Sequence, residues 1–428
     1  MSKRYFVLFV LCLSLNVYVF AQQDTTEADD SPRLILDFPV FDFPFQIHAM
    51  NAVRYGFFGS YTNPSMAQSL AFAQNVNTAF HFGMRQFRNT NVLGERWTRN
   101  FYFGGLAVGQ FLLLWMPGGT SWLHEEFHRA KFARFEEWSS NPVNRFPFGQ
   151  LVLPLDFDPD SIDRILNESR PDVARMYAAG MEGDYALINR LQRNNFFHNK
   201  QLTHEFVYWW STVTIHGYLA SDFVADFFGW AFFLFNIDET IELEEGEYLT
   251  FDHLTPQAYR FLRLQSRLHF LNYLSPMMFG IRRIPLGDTG FHMNFAMRHL
   301  LTSFGYNISA TVFLKRSPFN MIFTMHNFMN YSSYFPAIEA ELIDFPVNLG
   351  NQSFLLSPRV LIGVQPRNQG FRTSTPEFLG LFGLRIDHRA TRNVFPYIDF
   401  TAKTNGWVAG NEFLNANVSI RMGLSLRF

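Results

Sequence analysis

Residues 121–132, SWLHEEFHRAKF, contain two histidines and a glutamate at a spacing that suits metal binding and proton transfer. His124 and His128 are four residues apart, so on a helix both imidazoles project from one face, a turn apart. Glu125 lies beside them, where its carboxylate could take a proton from a metal-activated water. The His-Glu-x-x-His spacing therefore predicts a metal site with His124 and His128 as ligands and Glu125 as general base.

A catalytic zinc of this kind needs a third protein ligand, because such sites use three protein ligands and a water. A second helix-like segment, residues 172–192, contains the small residues Ala178, Ala179 and Gly180, which let two helices approach closely. Glu182 would project near that contact, and we expect it to be the third ligand. The alternatives for this position are Asp184, His198, His204 and His216.

With these residues the chain resembles the zincin metallopeptidases, and among them the gluzincins, in which two motif histidines and a glutamate from a following helix hold zinc. The resemblance implies Zn²⁺ bound by His124, His128 and Glu182, with Glu125 as the base. It covers only the motif and the second helix. The Asn-Glu-x-x-x-Asp pattern of the best-known gluzincins is missing, since Asp184 follows Glu182 at two residues and not at four. Two imidazoles and a carboxylate also suit other transition metals.

An aromatic, helix-like stretch, residues 202–233, contains further histidines and carboxylates. His204 and His216 are in surroundings where a histidine is more often a hydrogen-bonded core residue than a ligand. Asp222 and Asp226 are unusual in a segment that is otherwise largely apolar. Either carboxylate is suited to accept the free N–H of a ligating histidine, or to face a polar lumen. The spacing does not decide between these two interpretations.

The elements around this candidate site change character after residue 285, where regular alternation begins. In residues 416–428, ANVSIRMGLSLRF, apolar side chains occupy one face of a strand and mostly polar ones the other. Similar segments recur from residue 290 onward, separated by turn-rich stretches. Such alternation, in a strand that ends on an aromatic residue, is typical of a membrane barrel with a polar lumen. The alternative is a soluble antiparallel sandwich with one wet face.

The N-terminal region is harder to interpret. Residues 34–45 partly alternate, but Pro39 and Pro44 remove ladder donors, so we expect an edge strand or an extended plug. Three further segments could be strands, namely residues 52–62, 77–87 and 95–103.

The N-terminal segment, the last strand and the net charge of the chain are consistent with a membrane barrel. Residues 1–21 have a basic start and an apolar run that ends at Ala21, which predicts a secretory signal peptide. The last strand resembles that of Gram-negative outer-membrane proteins, whose C-terminal aromatic residue is read by the barrel-insertion machinery. After the signal, no apolar stretch reaches the length expected of a membrane-spanning helix. A net charge of -2 does not suggest a nucleic-acid partner.

We therefore expect an α+β protein, an antiparallel outer-membrane β-barrel of about 8–12 strands with an inserted or preceding α-helical zincin-like domain. The expected segments are a signal peptide (1–21), possible barrel strands or a plug (22–103), a helical metallopeptidase-like domain (104–285) and C-terminal barrel strands (286–428). The expected function is an outer-membrane zinc metallopeptidase, with a peptide or protein substrate, outer-membrane lipids and the insertion machinery as partners. The alternative is a non-enzymatic barrel for transport, secretion or scaffolding, with a helical plug.

Overall fold

A computed structural model describes residues 34–53, 56–90, 94–114, 116–141, 155–198, 205–221, 225–241 and 249–428. The predicted signal peptide, residues 1–21, lies outside the described residues, as do His204 and Asp222. The described chain combines one large antiparallel sheet with α-helices, which confirms the α+β class.

The large sheet has 11 strands, and β2 and β3 form a separate two-stranded sheet. In chain order the strands are β1 (Ile35–Phe43), β2 (Ser139–Ser140), β3 (Asp156–Phe157), β4 (Ile284–Pro285), β5 (His292–Thr302), β6 (Gly305–Arg316), β7 (Phe319–Met329), β8 (Tyr334–Ile343), β9 (Phe345–Leu349), β10 (Gln352–Pro366), β11 (Pro376–His388), β12 (Val394–Lys403) and β13 (Asn417–Arg427).

Neighbours in the large sheet follow the order β1-β13-β12-β11-β10-β8-β7-β6-β5-β4, with β9 paired to β10. Among the described strands, β1 and β4 are therefore the two edges of an open sheet. The expectation that Pro39 would confine its strand to an edge is confirmed. The register of β1 against β13 also shifts between Pro39 and Phe41.

The alternation expected after residue 285 is present: the outer face exposes apolar side chains, and the inner face combines polar and charged groups with buried apolar side chains such as Phe313, Leu379 and Leu381. In β13, Ser425 and Arg427 are buried, whereas Val418 and Ile420 are 54% and 42% exposed. The buried polar groups find partners inside the molecule, as where Arg427 Nη1 lies 2.8 Å from Asp344 Oδ2. In β13 the apolar side chains therefore face outward, whereas a sheet with one solvated face turns its apolar side chains inward.

The described residues form ten α-helices. Their bounds are α1 (Phe45–Asn51), α2 (Gly56–Gly59), α3 (Met66–Thr90), α4 (Glu95–Leu113), α5 (Thr120–Arg134), α6 (Asp160–Glu168), α7 (Arg170–Phe197), α8 (Glu205–Ala220), α9 (Ala225–Leu234) and α10 (Pro256–Leu268). None of these described helices combines the length with the apolar composition that crossing a membrane requires.

The N-terminal segment differs from expectation. Beyond β1, its described part is helical, so the strands expected at residues 77–87 and 95–103 were wrong and lie within α3 and α4. The segment expected as a strand at residues 52–62 includes the short helix α2. Short apolar runs of this kind fit both the two-residue period of a strand and the 3.6-residue period of a helix. Here the helical period applies, because Asn77 and His81, a turn apart, are both buried.

The long helix α7 joins the helical part to the polar face of the sheet. Arg190 Nη2 lies 3.2 Å from Asp37 Oδ2 of β1, and Arg193 Nη2 lies 2.7 Å from Glu341 Oε1 of β8. On its other side α7 packs against α5 and α9. These three helices carry the candidate site.

Candidate metal centre

The helix α5 presents the His-Glu-x-x-His residues toward α7. His124 and His128 are buried, at 5% and 6% exposure, and Glu125 is half-buried. The two imidazole centroids are 4.9 Å apart. The one-turn spacing therefore sets two imidazoles side by side, as the sequence predicts.

Asp226, in the first turn of α9, joins the two imidazoles. Its Oδ2 atom lies 3.3 Å from Nε2 of His124 and 3.4 Å from Nε2 of His128. Within the described part of the chain, these three residues are the set whose possible metal-ligand atoms all lie within 4.8 Å of one another. Two imidazole nitrogens and a carboxylate oxygen can hold zinc or another transition metal.

The outer nitrogen of each imidazole is held by a hydrogen bond. Nδ1–H of His124 donates to Asp184 Oδ2 at 3.3 Å, and Nδ1–H of His128 donates to the Met176 carbonyl at 2.5 Å. Both acceptors belong to α7. With Nδ1–H engaged in this way, Nε2 is the nitrogen of each ring that faces Asp226, and loss of its proton would expose the lone pair that a metal ligand needs.

Gly180 makes the close approach of α5 and α7 possible. A Cβ atom added at residue 180 would lie 2.3 Å from His124 Nε2 and 2.4 Å from His128 Nε2. A side chain there would therefore occupy the space in front of both ligand atoms. The expectation that small residues let the helices meet at this point is confirmed.

The carboxylates beside the two imidazoles favour a positive charge at this position. Burial disfavours the protonated form of His124, yet hydrogen bonds to Asp184 and Asp226 raise the pKa of His124 well above its usual value. Burial likewise opposes ionisation of Asp226, but His128 and His124 hold the pKa of that carboxyl well below its usual range. A divalent ion that replaced the imidazole protons would meet the same carboxylates.

Glu125 follows His124 on α5 and is half-buried. Burial raises the pKa of its carboxyl, and the neighbouring His124 and His128 offset part of that rise. A base is most effective when its pKa approaches the working pH, so this direction favours proton transfer near neutrality.

Glu182, expected as the third ligand, lies elsewhere. Its Oε1 atom is 2.8 Å from Arg175 Nη2 and accepts the Gly410 N–H at 2.7 Å. Because Glu182 is two residues beyond Gly180, the helical turn directs it to a different side of α7. Asp226 stands in the position expected of Glu182, and Asp184 makes the hydrogen bond expected of Asp222 or Asp226.

His198 and His216, which the sequence also offers as third ligands, are distant from this group. His198 lies at the end of α7, with Nε2 3.4 Å from Asp344 Oδ2. His216 lies against His269, with ring centroids 5.1 Å apart. The sequence assigns no role to Tyr218, whose ring centroid lies 5.6 Å from that of His124. The sequence feature that could have indicated Tyr218 is its position in the aromatic stretch that also contains Asp226.

Comparisons of the chain with protein-family models, with curated proteins and with solved structures gave no match.

Proposed function

We propose that this protein is an outer-membrane zinc metallopeptidase in which His124, His128 and Asp226 hold the metal and Glu125 is the general base. The orientation of the two imidazoles carries the proposal: each Nδ1 is tied by a hydrogen bond and each Nε2 faces Asp226. His128 Nε2 is buried, and its polar neighbour is Asp226 Oδ2 at 3.4 Å. A metal ion between these atoms would be held by the carboxylate and by both imidazoles.

Each residue of the group has a role in peptide hydrolysis. Zinc, when bound, would polarise the scissile carbonyl and lower the pKa of a water. Glu125 takes a proton from the attacking water and passes it to the leaving amine. Asp184 and the Met176 carbonyl keep the imidazoles in one orientation. The Asp226 side chain is 35% exposed, so an extended peptide or a flexible protein segment can approach from that side.

The membrane part of the proposal is supported by the reversed polarity of the sheet. Large apolar side chains on its outer face remain exposed, namely Phe323, Met325, Ile338, Ile362, Phe378, Phe382, Ile398 and Val418. Water would penalise an apolar surface of this extent, whereas acyl chains cover it without cost.

Zinc content tests the metal site directly. We expect about one zinc per chain in protein purified from outer membranes in detergent, because the group offers one set of three protein ligands. The double variant His124→Ala/His128→Ala and the single variant Asp226→Ala should lose that zinc. His216→Ala, which truncates a histidine outside the group, should keep it. A folded, zinc-free wild-type protein would instead favour the non-enzymatic barrel with a helical plug.

Activity tests the base. Glu125→Gln keeps the size of the side chain but cannot accept the proton, so cleavage of a peptide library should be abolished while zinc content stays unchanged. Turnover retained by this variant would remove Glu125 from the mechanism.

A further inference from the structure

The edge strand β1 is covered by side chains of α3. The Asp37 N–H donates to Asn75 Oδ1 at 2.9 Å, and the Asn75 amide donates to the Asp37 carbonyl at 2.6 Å. The Gln68 amide donates to the carbonyl of Pro39, a residue that has no N–H, at 3.3 Å. These side chains take hydrogen bonds that a further strand would otherwise make.

The opposite edge is covered in the same way. The short strand β4 pairs only with His292 and Met293 of β5. Farther along β5, the Met297 N–H donates to the Leu274 carbonyl at 3.0 Å. The His299 N–H donates to Asn272 Oδ1 at 3.1 Å, and the Asn272 amide donates to the His299 carbonyl at 3.2 Å. Along these residues, neither edge can therefore pair with a further strand.

Helices connect the two covered edges. α4 packs on α3, where Gly109 leaves room for the ring of Phe80. The ring of Phe111 on α4 meets that of Trp210 on α8, at 6.4 Å between centroids. On the same helix, Trp209 Nε1–H donates to the Met278 carbonyl at 2.7 Å, beside the segment that covers β5. The helices α3, α4 and α8 thus form a continuous link from β1 to β5.

The polarity of α4 is reversed, as it is in the sheet. Thr98, Tyr102 and Gln110 are buried at 2%, 5% and 2%, whereas Trp97 and Val108 are 64% and 60% exposed. Phe101, Phe111 and Leu112 share the exposed side.

The buried polar groups of this helix are satisfied within the hairpin that α4 forms with α3. Gln110 Oε1 accepts a hydrogen bond from His81 Nε2–H at 3.1 Å, and the Gln110 amide donates to Asn77 Oδ1 at 3.1 Å. The Arg88 guanidinium lies 5.3 Å from the ring centroid of Tyr102. The first turns of α4 expose Arg96, Arg99 and Asn100, whereas residues 101–113 bury Gln110 and expose no polar side chain. This second part of the helix suits an apolar environment.

The apolar surface is continuous with that of the sheet on both sides of the helices. Phe38 and Val40 of β1 are each 43% exposed, and Phe72 of α3 beside them is 44% exposed. Near β5 the surface continues through exposed residues, namely Phe270, Leu274, Phe279, Ile281 and Phe295.

We infer that α3, α4 and α8 complete the wall of the open sheet, and that the outer face of α4 contacts the acyl chains of the same bilayer. This inference rests on the proposed membrane location of the sheet. Lipid is the occupant that fits, because the face of α4 continues the sheet's apolar surface and because the helical part already takes the edge hydrogen bonds at Asp37 and His299. An uncovered edge in acyl chains would leave unpaired backbone groups, which lipid does not tolerate.

Collision accessibility of nitroxide labels tests this contact. Cys12 is the single cysteine of the chain, so it is replaced by Ser and one label is attached at a time. Val108→Cys and Leu112→Cys report on α4, Ile362→Cys reports on the outer face of the sheet, and Asp163→Cys provides a water-exposed control. Each labelled full-length protein is reconstituted in phosphatidylcholine vesicles. Oxygen, which concentrates in acyl chains, and a water-soluble nickel chelate are the two collision partners.

The expected result is high oxygen and low nickel accessibility at residues 108 and 112, matching residue 362 and opposite to residue 163. Nickel accessibility at 108 and 112 with lipid exposure at 362 would overturn the inference and leave the membrane proposal standing. Labels at 108 and 112 that are immobile and reached by neither reagent would show that protein covers α4, which also overturns it. Nickel accessibility at 362 would contradict the membrane proposal itself, and the inference with it.

Discussion

Tyr218 lies against His124, on α8, at 5.6 Å between ring centroids. Burial raises the pKa of Tyr218 while His124 lowers it, and the net rise keeps the hydroxyl protonated at neutral pH. A preorganised O–H donor beside a metal site stabilises the negative charge that develops on the attacked carbonyl oxygen. We therefore expect Tyr218→Phe to lower kcat by about 10²-fold with KM and zinc content little changed.

The measurement is the steady-state rate of peptide cleavage, with zinc analysis of the same samples. Tyr273→Phe, which removes a hydroxyl 3.4 Å from His216 Nδ1 and away from the metal group, is the matched control. A kcat unchanged by Tyr218→Phe would mean that the hydroxyl does not contact the reacting carbonyl.

Gly180 provides a second test at the residue scale. The Cβ of Gly180→Ala would stand 2.3 Å from His124 Nε2, so one or both imidazoles must move and the metal group is disrupted. We expect zinc to be lost or its affinity to fall by at least about 10–100-fold, as when ligand orientation is disturbed. The control is Gly217→Ala on α8, where an added Cβ meets no atom within 4 Å. Isothermal titration of metal-stripped protein would show the difference, and equal affinities would mean that the metal lies elsewhere.

At the scale of elements, Glu182 connects α7 to the loop between β12 and β13. The carboxylate pairs with Arg175 and accepts the Gly410 N–H, and Arg175 also donates to the Val408 carbonyl at 3.1 Å. Removing one member of a buried ion pair leaves an uncompensated charge. Glu182→Ala should therefore lower the free energy of unfolding by about 3–5 kcal/mol. The folded protein should keep its zinc, because Glu182 contacts neither imidazole in the described group.

Urea denaturation in detergent, with zinc analysis at zero urea, measures both properties. Asp158→Ala, which breaks an exposed pair with Arg164, should leave the midpoint nearly unchanged. A stable Glu182→Ala protein without zinc would restore Glu182 as a ligand.

The sequence predicted some elements well and others poorly, for physical reasons. The strands after residue 285 were predictable because a half-buried strand repeats every two residues, so residues such as Val418 and Ile420 report one face directly. The helices α3 and α4 were not, because their reversed polarity and their glycines weaken the usual helical signal. His124 and His128 were predictable because one helix fixes their spacing.

Asp226 was harder to assign than the histidines because its position depends on how α9 packs against α7. No local spacing connects Asp226 to His128, 98 residues earlier by subtraction of their numbers (226 − 128). Glu182 was a reasonable ligand on the same helix as Gly180, but its partner, the Gly410 amide, comes from a distant loop. Long-range pairing of this kind cannot be obtained from a single sequence.

At the scale of the whole molecule, charged side chains hold α7 against the inner face of the sheet. Arg190 pairs with Asp37, and Arg193 pairs with Glu341. The same interface surrounds a cavity of about 180 Å³, lined by residues from α7 and several strands. Because the inner face carries these ion pairs beside buried apolar side chains, the position of the site helices depends on charge as well as on packing.

His198 makes that dependence measurable through pH. It ends α7, and its Nε2 lies 3.4 Å from Asp344 Oδ2. Burial lowers the pKa of His198 from its usual 6.5 to about 4, since the nearby cations Arg427, Lys315 and Arg193 outweigh what Asp344 restores. The unfolded chain thus binds this proton at a higher pH than the folded protein does.

The contribution of neutral His198 to stability is therefore complete above pH 6.5 and is lost as the pH falls toward 4. At the lower limit the loss is on the order of 3 kcal/mol. His198→Gln keeps a polar side chain that does not titrate, so the urea midpoint of this variant should fall less between pH 7 and pH 4.5 than that of the wild type. Parallel declines in the two proteins would mean that other groups control the acid sensitivity, and that α7 is held to the sheet without a contribution from the charge state of His198.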